Sequence, residues 1–169
     1  MRVLRFLAVL ALAAGLHLVA VRLFPDFPLY VDLFLVVAVF HARDGHSVAG
    51  MLGGAAAGLL ADGLSGGPYG LQGFADTLIG YATARGAQQL VLQRPAGLAL
   101  LFAVAAAAQQ LLLAGLALAL LPEPELPRLA SLVAKAASTG LLGWGLHTLE
   151  RTASGALEGR RQRRAATLR

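Results

Sequence analysis

Two charges lie deep inside apolar stretches of this chain, Asp76 and Lys135. A lone charge at membrane depth costs several kcal/mol, so each needs a partner. Both sit about two helical turns inside the outer end of their stretch, and the matched depth predicts an Asp76–Lys135 ion pair. Such a pair would fix helix register, or it would serve transport or a proton relay. Gln109 and Gln110 fall near the middle of the fifth stretch, where their amides require hydrogen-bond partners on neighbouring helices. Asp32, near the outer start of the second stretch, can pair with Arg22 at the outer end of the first, unless Arg22 snorkels to headgroups. His17 and His147 stand alone on apolar helices, while His41 and His46 flank a loop. No His/Asp/Glu spacing suits a metal, and the chain has no Cys, so neither a metal nor a cofactor is assigned. Nucleophile-elbow, phosphate-loop and paired-carboxylate motifs are missing, which makes an enzyme the weakest class.

Small residues form a second pattern. Gly50, Gly54 and Gly58 repeat every four residues and share one helical face. Such a face lets backbones approach closely, either within the bundle or against a partner's transmembrane helix. Gly73, Asp76, Gly80 and Thr83 share a face of the next stretch, as do Ser131, Lys135, Ser138 and Gly145 of the last. Between the first two of these faces, Asp62, Ser65, Gly66, Gly67, Pro68 and Gly70 mark an outer loop. At the carboxyl end, Arg160, Arg161, Arg163 and Arg164 form a basic run. Beside a membrane helix it favours anionic lipid and cytoplasmic placement over nucleic acid.

The elements that must hold these groups follow from composition. The chain has 169 residues, 57% hydrophobic and 14% charged, with 20 Gly and a net charge of +5. A soluble domain carries about 25% charged residues, so this sequence points to a polytopic membrane protein. Six apolar stretches are predicted as spans, at about 3–24, 29–41, 47–63, 70–85, 95–121 and 128–149. They form one six-helix transmembrane domain, residues 1–150, followed by a basic cytoplasmic tail, 151–169. The second and fourth are short and must recruit flanking residues, thin the bilayer or sit inside the bundle. Pro25, Pro28 and the Pro122–Pro127 segment break the helices. Arg2, Arg5, Arg43, Arg85, Arg94 and the tail arginines all fall on one side if the chain crosses six times, which puts both termini in the cytoplasm. The first span is too long for a cleaved signal peptide and is expected to remain as an anchor. Tyr30, Tyr69 and Trp144 lie near span ends and suit the interfacial belt.

The order of features carries a resemblance. Asp32-Leu33 opens the second span. The glycine-rich third, Gly50-Met51-Leu52-Gly53-Gly54-Ala55-Ala56-Ala57-Gly58, leads into Leu60-Ala61-Asp62-Gly63-Leu64-Ser65-Gly66-Gly67-Pro68-Tyr69-Gly70-Leu71. The fourth closes with Leu78-Ile79-Gly80-Tyr81. In these motifs, in size and in topology, the chain resembles the rod shape-determining MreD family over nearly its whole length. The resemblance implies a non-enzymatic inner-membrane scaffold of the bacterial elongation machinery that supports peptidoglycan synthesis. It implies association with MreC and a place beside MreB, RodA and a penicillin-binding transpeptidase. It also implies a fold similar to the six-helix substrate-binding subunits of vitamin transporters, which supplies an alternative function. That alternative requires an outward-opening polar cavity lined by groups such as Asp76 and Gln109.

Overall fold

Hydrocarbon offers the backbone no hydrogen-bond partner, so Leu- and Ala-rich segments close their own ladders as helices. The computed structural model describes residues 2–43, 46–66, 68–89, 95–122 and 128–167. These form α1 (Arg2–Leu23), α2 (Phe27–Tyr30), α3 (Leu33–Ala42), α4 (Ser47–Ser65), α5 (Leu71–Gln89), α6 (Pro95–Leu120) and α7 (Leu129–Thr167), with no strand among the described residues. The breaks have local causes. Pro25 follows α1 and cannot extend its ladder. Gly66 caps α4 at φ 68°, a left-handed conformation that glycine adopts without a Cβ penalty. Pro95 opens α6, where no backbone donor is needed.

Four segments are long and apolar enough to cross a membrane: Val3–Leu23, Ser47–Ser65, Gly97–Leu120 and Leu129–Thr152. The chain is therefore a multi-pass membrane protein. Of the six expected spans, the second and fourth do not qualify on length and apolarity alone. The second is split: α2 ends at Tyr30, Val31 and Asp32 have extended backbone, and α3 follows with only 10 residues. At 1.5 Å per residue α3 is about 15 Å long, roughly half the hydrocarbon thickness. It does not need the full length because it hardly meets lipid. Phe34, Leu35, Val36, Val37, Ala38, Val39 and Ala42 are all buried. The fourth, α5, has 19 residues but carries Gln72, Asp76 and Arg85 among them.

Helix α3 is the axis of the bundle. On one side Phe34, Val37 and Ala38 pack with Leu10 and Ala13 of α1 and with Ala57 and Ala61 of α4. On the other, Leu35, Val36 and Val39 pack with Ile79 of α5 and with Phe102, Ala105 and Ala106 of α6. The glycine face of α4 lies against α5 rather than outside the bundle. A Cβ on Gly50 would come within 2.6 Å of the Gly80 carbonyl oxygen, one on Gly54 would collide with the Asp76 carbonyl oxygen, and one on Gly58 with that of Gln72. The two helices run antiparallel, backbone against backbone, for three successive turns. Gly50, Gly54 and Gly58 therefore face the α5 backbone inside the bundle.

The ends of the helices sort by position. Phe6, early in α1, stacks on His41 at the end of α3, with ring centroids 4.4 Å apart. Arg43 caps α3, lies 4.5 Å over the Phe40 ring and reaches His147 Nδ1 of α7 at 3.1 Å and Glu150 at 2.5 Å. At the opposite end the Ser138 hydroxyl of α7 donates to the Tyr30 carbonyl. Helix α7 continues through residue 150 without a break, so no helix boundary marks the start of the tail. The side chains of Arg160, Arg161, Arg163 and Arg164, and Gly67 of the outer loop, lie outside the described residues.

Candidate functional site

The interruption between α2 and α3 places a carboxylate inside the bundle. Asp32 is the N-cap of α3; its Oδ1 accepts from Leu35 N at 2.9 Å. An acidic cap suits the partial positive charge of a helix N-terminus. The other oxygen, Oδ2, faces three donors: Gln109 Nε2 of α6 at 3.0 Å, Gln72 Nε2 of α5 at 3.1 Å and Lys135 Nζ of α7 at 3.3 Å. Asp32 is 4% exposed and Lys135 8%. Four helices thus converge on one buried oxygen.

This corrects the expected Asp76–Lys135 pair. Depth alone matched those two residues, but the kinked second segment carries Asp32 to the same level, and Lys135 takes it instead. Arg22 correspondingly has no claim on Asp32. Asp76 is next in the same network: its Oδ1 accepts from Gln109 Nε2 at 2.6 Å. Gln109 therefore spends both amide hydrogens on two carboxyl groups, Asp32 and Asp76. Asp76, Gln109 and Thr139 are fully buried, and Asp76 Oδ2, Gln109 Oε1 and Thr139 Oγ1 have no hydrogen-bond partner. His17 of α1, also buried, stacks on Phe34 with centroids 5.1 Å apart and leaves Nδ1 unpaired.

A second polar clasp lies beside the first. Asp62, expected in the outer loop, is in the last turn of α4 and 5% exposed. Its Oδ2 accepts from Gly70 N and Gly73 N, both at 2.9 Å, and its Oδ1 from Gln72 N at 3.0 Å. The first amides of a helix have no intrahelical acceptor, so this carboxylate caps α5 across the loop. Gly70, at φ 102°, turns the chain back to meet it. Ser65 donates to the Asp62 carbonyl at 3.3 Å. The loop proper, with Ser65, Gly66, Pro68 and Tyr69, is exposed, and Tyr69 is 72% exposed. No group of three His, Cys, Asp or Glu suited to a metal occurs among the described residues.

Asp76, Lys135 and Gln109 were expected from sequence; Asp32 was expected at the interface and Gln72 and Thr139 not at all. The missing signal was the Pro28–Asp32 spacing, which sets a short helix, an extended pair and a new N-cap.

A cavity of about 1040 Å³ opens between α2, α6 and α7. Leu29, Tyr30, Leu113, Ala117 and Ala134 line it, with Gln110, Arg128 and Ser131 as polar groups. Asp76 and Gln109, the groups named above for an outward-opening polar cavity, are not on its wall.

Residues 1–122 match the family described as rod shape-determining protein MreD. The chain belongs to the MreD family. It is a membrane protein of the rod-shape system. The match spans α1 to α6 and so contains Asp32, Gln72, Asp76 and Gln109, whereas Lys135 and Thr139 lie beyond it on α7. No curated protein and no solved structure matches the chain.

Proposed function

We propose that this MreD-family chain is a non-enzymatic scaffold that crosses the bacterial inner membrane six times with both termini in the cytoplasm. It binds MreC and supports peptidoglycan synthesis and cell-shape control in one complex with MreB, RodA and a penicillin-binding transpeptidase. The observation that carries this reading is the family match over residues 1–122. Two structural features support it. The polar side chains are spent on holding helices together: Gln72, Gln109 and Lys135 each bond Asp32. Phe6, His41, Arg43, His147 and Glu150 gather at one end of the bundle, which suits a common basic, cytoplasmic side.

With the glycine face covered, the partner surface passes to the outer loop. Ser65, Gly66, Pro68 and Tyr69 are exposed beside the Asp62 clasp. Affinity purification of the tagged chain from native membranes in mild detergent tests the assignment. MreC is expected as the main partner, and a Tyr69→Ser variant should recover it in lower yield with the bundle intact. Recovery of an energy-coupling transporter module with a bound metabolite, and no MreC, would replace this function with the transporter alternative.

A further inference from the structure

Among the described residues the core holds three carboxyl groups, Asp32, Asp62 and Asp76, and one ammonium, Lys135. Asp32 has Lys135 at 3.3 Å and accepts three further hydrogen bonds. Its charge is matched. Asp76 has one bond only, from Gln109 Nε2 at 2.6 Å, and is 0% exposed. Its second oxygen and the amide oxygen of Gln109 are both buried and both lack a donor. Two acceptors whose side chains are already joined by a hydrogen bond cannot satisfy each other. A single proton resolves both: placed on Asp76 Oδ2, it supplies a donor for Gln109 Oε1.

We propose that Asp76 is a proton-binding site, occupied at neutral pH, in which a carboxylic acid and the Gln109 amide form a cyclic pair with two hydrogen bonds. The amide chemistry fits. A primary amide has one hydrogen on the side of its own oxygen and one on the far side. The first completes the ring with Asp76 Oδ1, and the second is the one given to Asp32 Oδ2 at 3.0 Å. The ionisable groups near enough to act on Asp76 through their charge are Asp32 of α3, Lys135 of α7 and Asp62 of α4, and Asp32 and Lys135 act likewise on His17 of α1. Asp62 spends its oxygens on three backbone amides, and Lys135 is bonded to Asp32. Neither can serve Asp76. An ionised Asp76 would put a second negative charge against one ammonium in a medium that penalises it strongly. The bound proton leaves the Asp32–Lys135–Asp76 trio neutral and clamps α5 to α6. This inference does not depend on MreC binding.

Infrared spectroscopy of the purified full chain in lipid vesicles tests it. At about pH 8, far above the ordinary aspartate value near 3.9, exposed carboxyls are ionised and silent in the protonated C=O region. The expected result is one protonated-carboxyl band that shifts when aspartate is labelled with 13C at the side-chain carbon. That band disappears in Asp76→Asn, whose amide replaces the acid's donor and keeps the bundle folded. A Gln109→Met variant, which removes the ring partner, should move the band. Absence of any aspartate-derived band in the labelled wild type would overturn the proposal, since a carboxylate filled by water or a cation shows none. A band that survives Asp76→Asn, or one that Gln109→Met leaves unmoved, would overturn it as well.

Discussion

Replacing Gly54 with Ala sets two effects of known sign against each other. Alanine gains about 1 kcal/mol over glycine in helix propensity. The added methyl, however, would overlap the Asp76 carbonyl oxygen and lie 2.7 Å from its carbon and 3.2 Å from Thr77 Cα. All three are backbone atoms, so no side chain can turn aside. Restoring ordinary contact near 3.5 Å with that oxygen requires α4 and α5 to separate by about 1.5 Å. Overpacking of this kind costs about 1–3 kcal/mol. The same separation strains the Asp62 clasp and pulls Asp76 from Gln109, which both bridge α5 to its neighbours. Gly115 of α6 is the control, because a Cβ there meets nothing within 4 Å. Gly54→Ala minus Gly115→Ala cancels propensity and leaves the packing term. Thermal unfolding in detergent should give Gly54→Ala the lower midpoint, with a difference of about 1–3 kcal/mol between the two variants. Equal midpoints would show that the α4–α5 contact is looser than three backbone approaches imply, and the reasoning from close packing would fail.

The remaining predictions concern the two polar clasps. Lys135→Met strands the Asp32 charge in the core and should cost about 3–5 kcal/mol, whereas Asp32→Asn combined with Lys135→Met should recover most of the loss. Monodispersity by fluorescence-detected size exclusion reads both, and a stable single variant would place the counter-charge of Asp32 elsewhere. Asp62→Ala leaves three amides of the α5 start without an acceptor and should destabilise by about 1–3 kcal/mol. Hydrogen exchange at Gly70, Gln72 and Gly73 should rise in that variant while exchange in α6 stays slow; unchanged protection there would refute the capping role.

How far the sequence foretold this molecule depends on what each signal measures. Apolar runs bounded by Pro and Gly located α1, α4, α6 and the start of α7 within a few residues, because insertion is set by composition along the chain. The split second segment was hidden. Leu29 to Phe40 is continuously apolar apart from Asp32, and hydropathy does not distinguish an interfacial aspartate from a helix cap turned inward. The Asp76–Lys135 expectation failed for the same reason: matching depths identify candidates for a pair but not the azimuth of each helix. Asp62 was read as loop because Gly63, Gly66 and Gly67 follow it, yet α4 runs on to Ser65 and the carboxylate finds its donors eight to eleven residues later. The glycine face was legible as a packing surface; its partner was not, since Gly80 and the carbonyls of Gln72 and Asp76 announce themselves only once α5 is antiparallel to α4.

The Asp62 clasp also bears on biogenesis. Helix α5 is not among the segments apolar enough to enter the bilayer on composition alone, and its first amides are satisfied by a group on the preceding helix. Neither half is at ease in lipid before the other arrives: α4 would bring an unmatched carboxylate, and α5 would bring bare donors. Insertion of the two as one hairpin satisfies both at once, since α4 is synthesised first and carries the acceptor that the start of α5 needs.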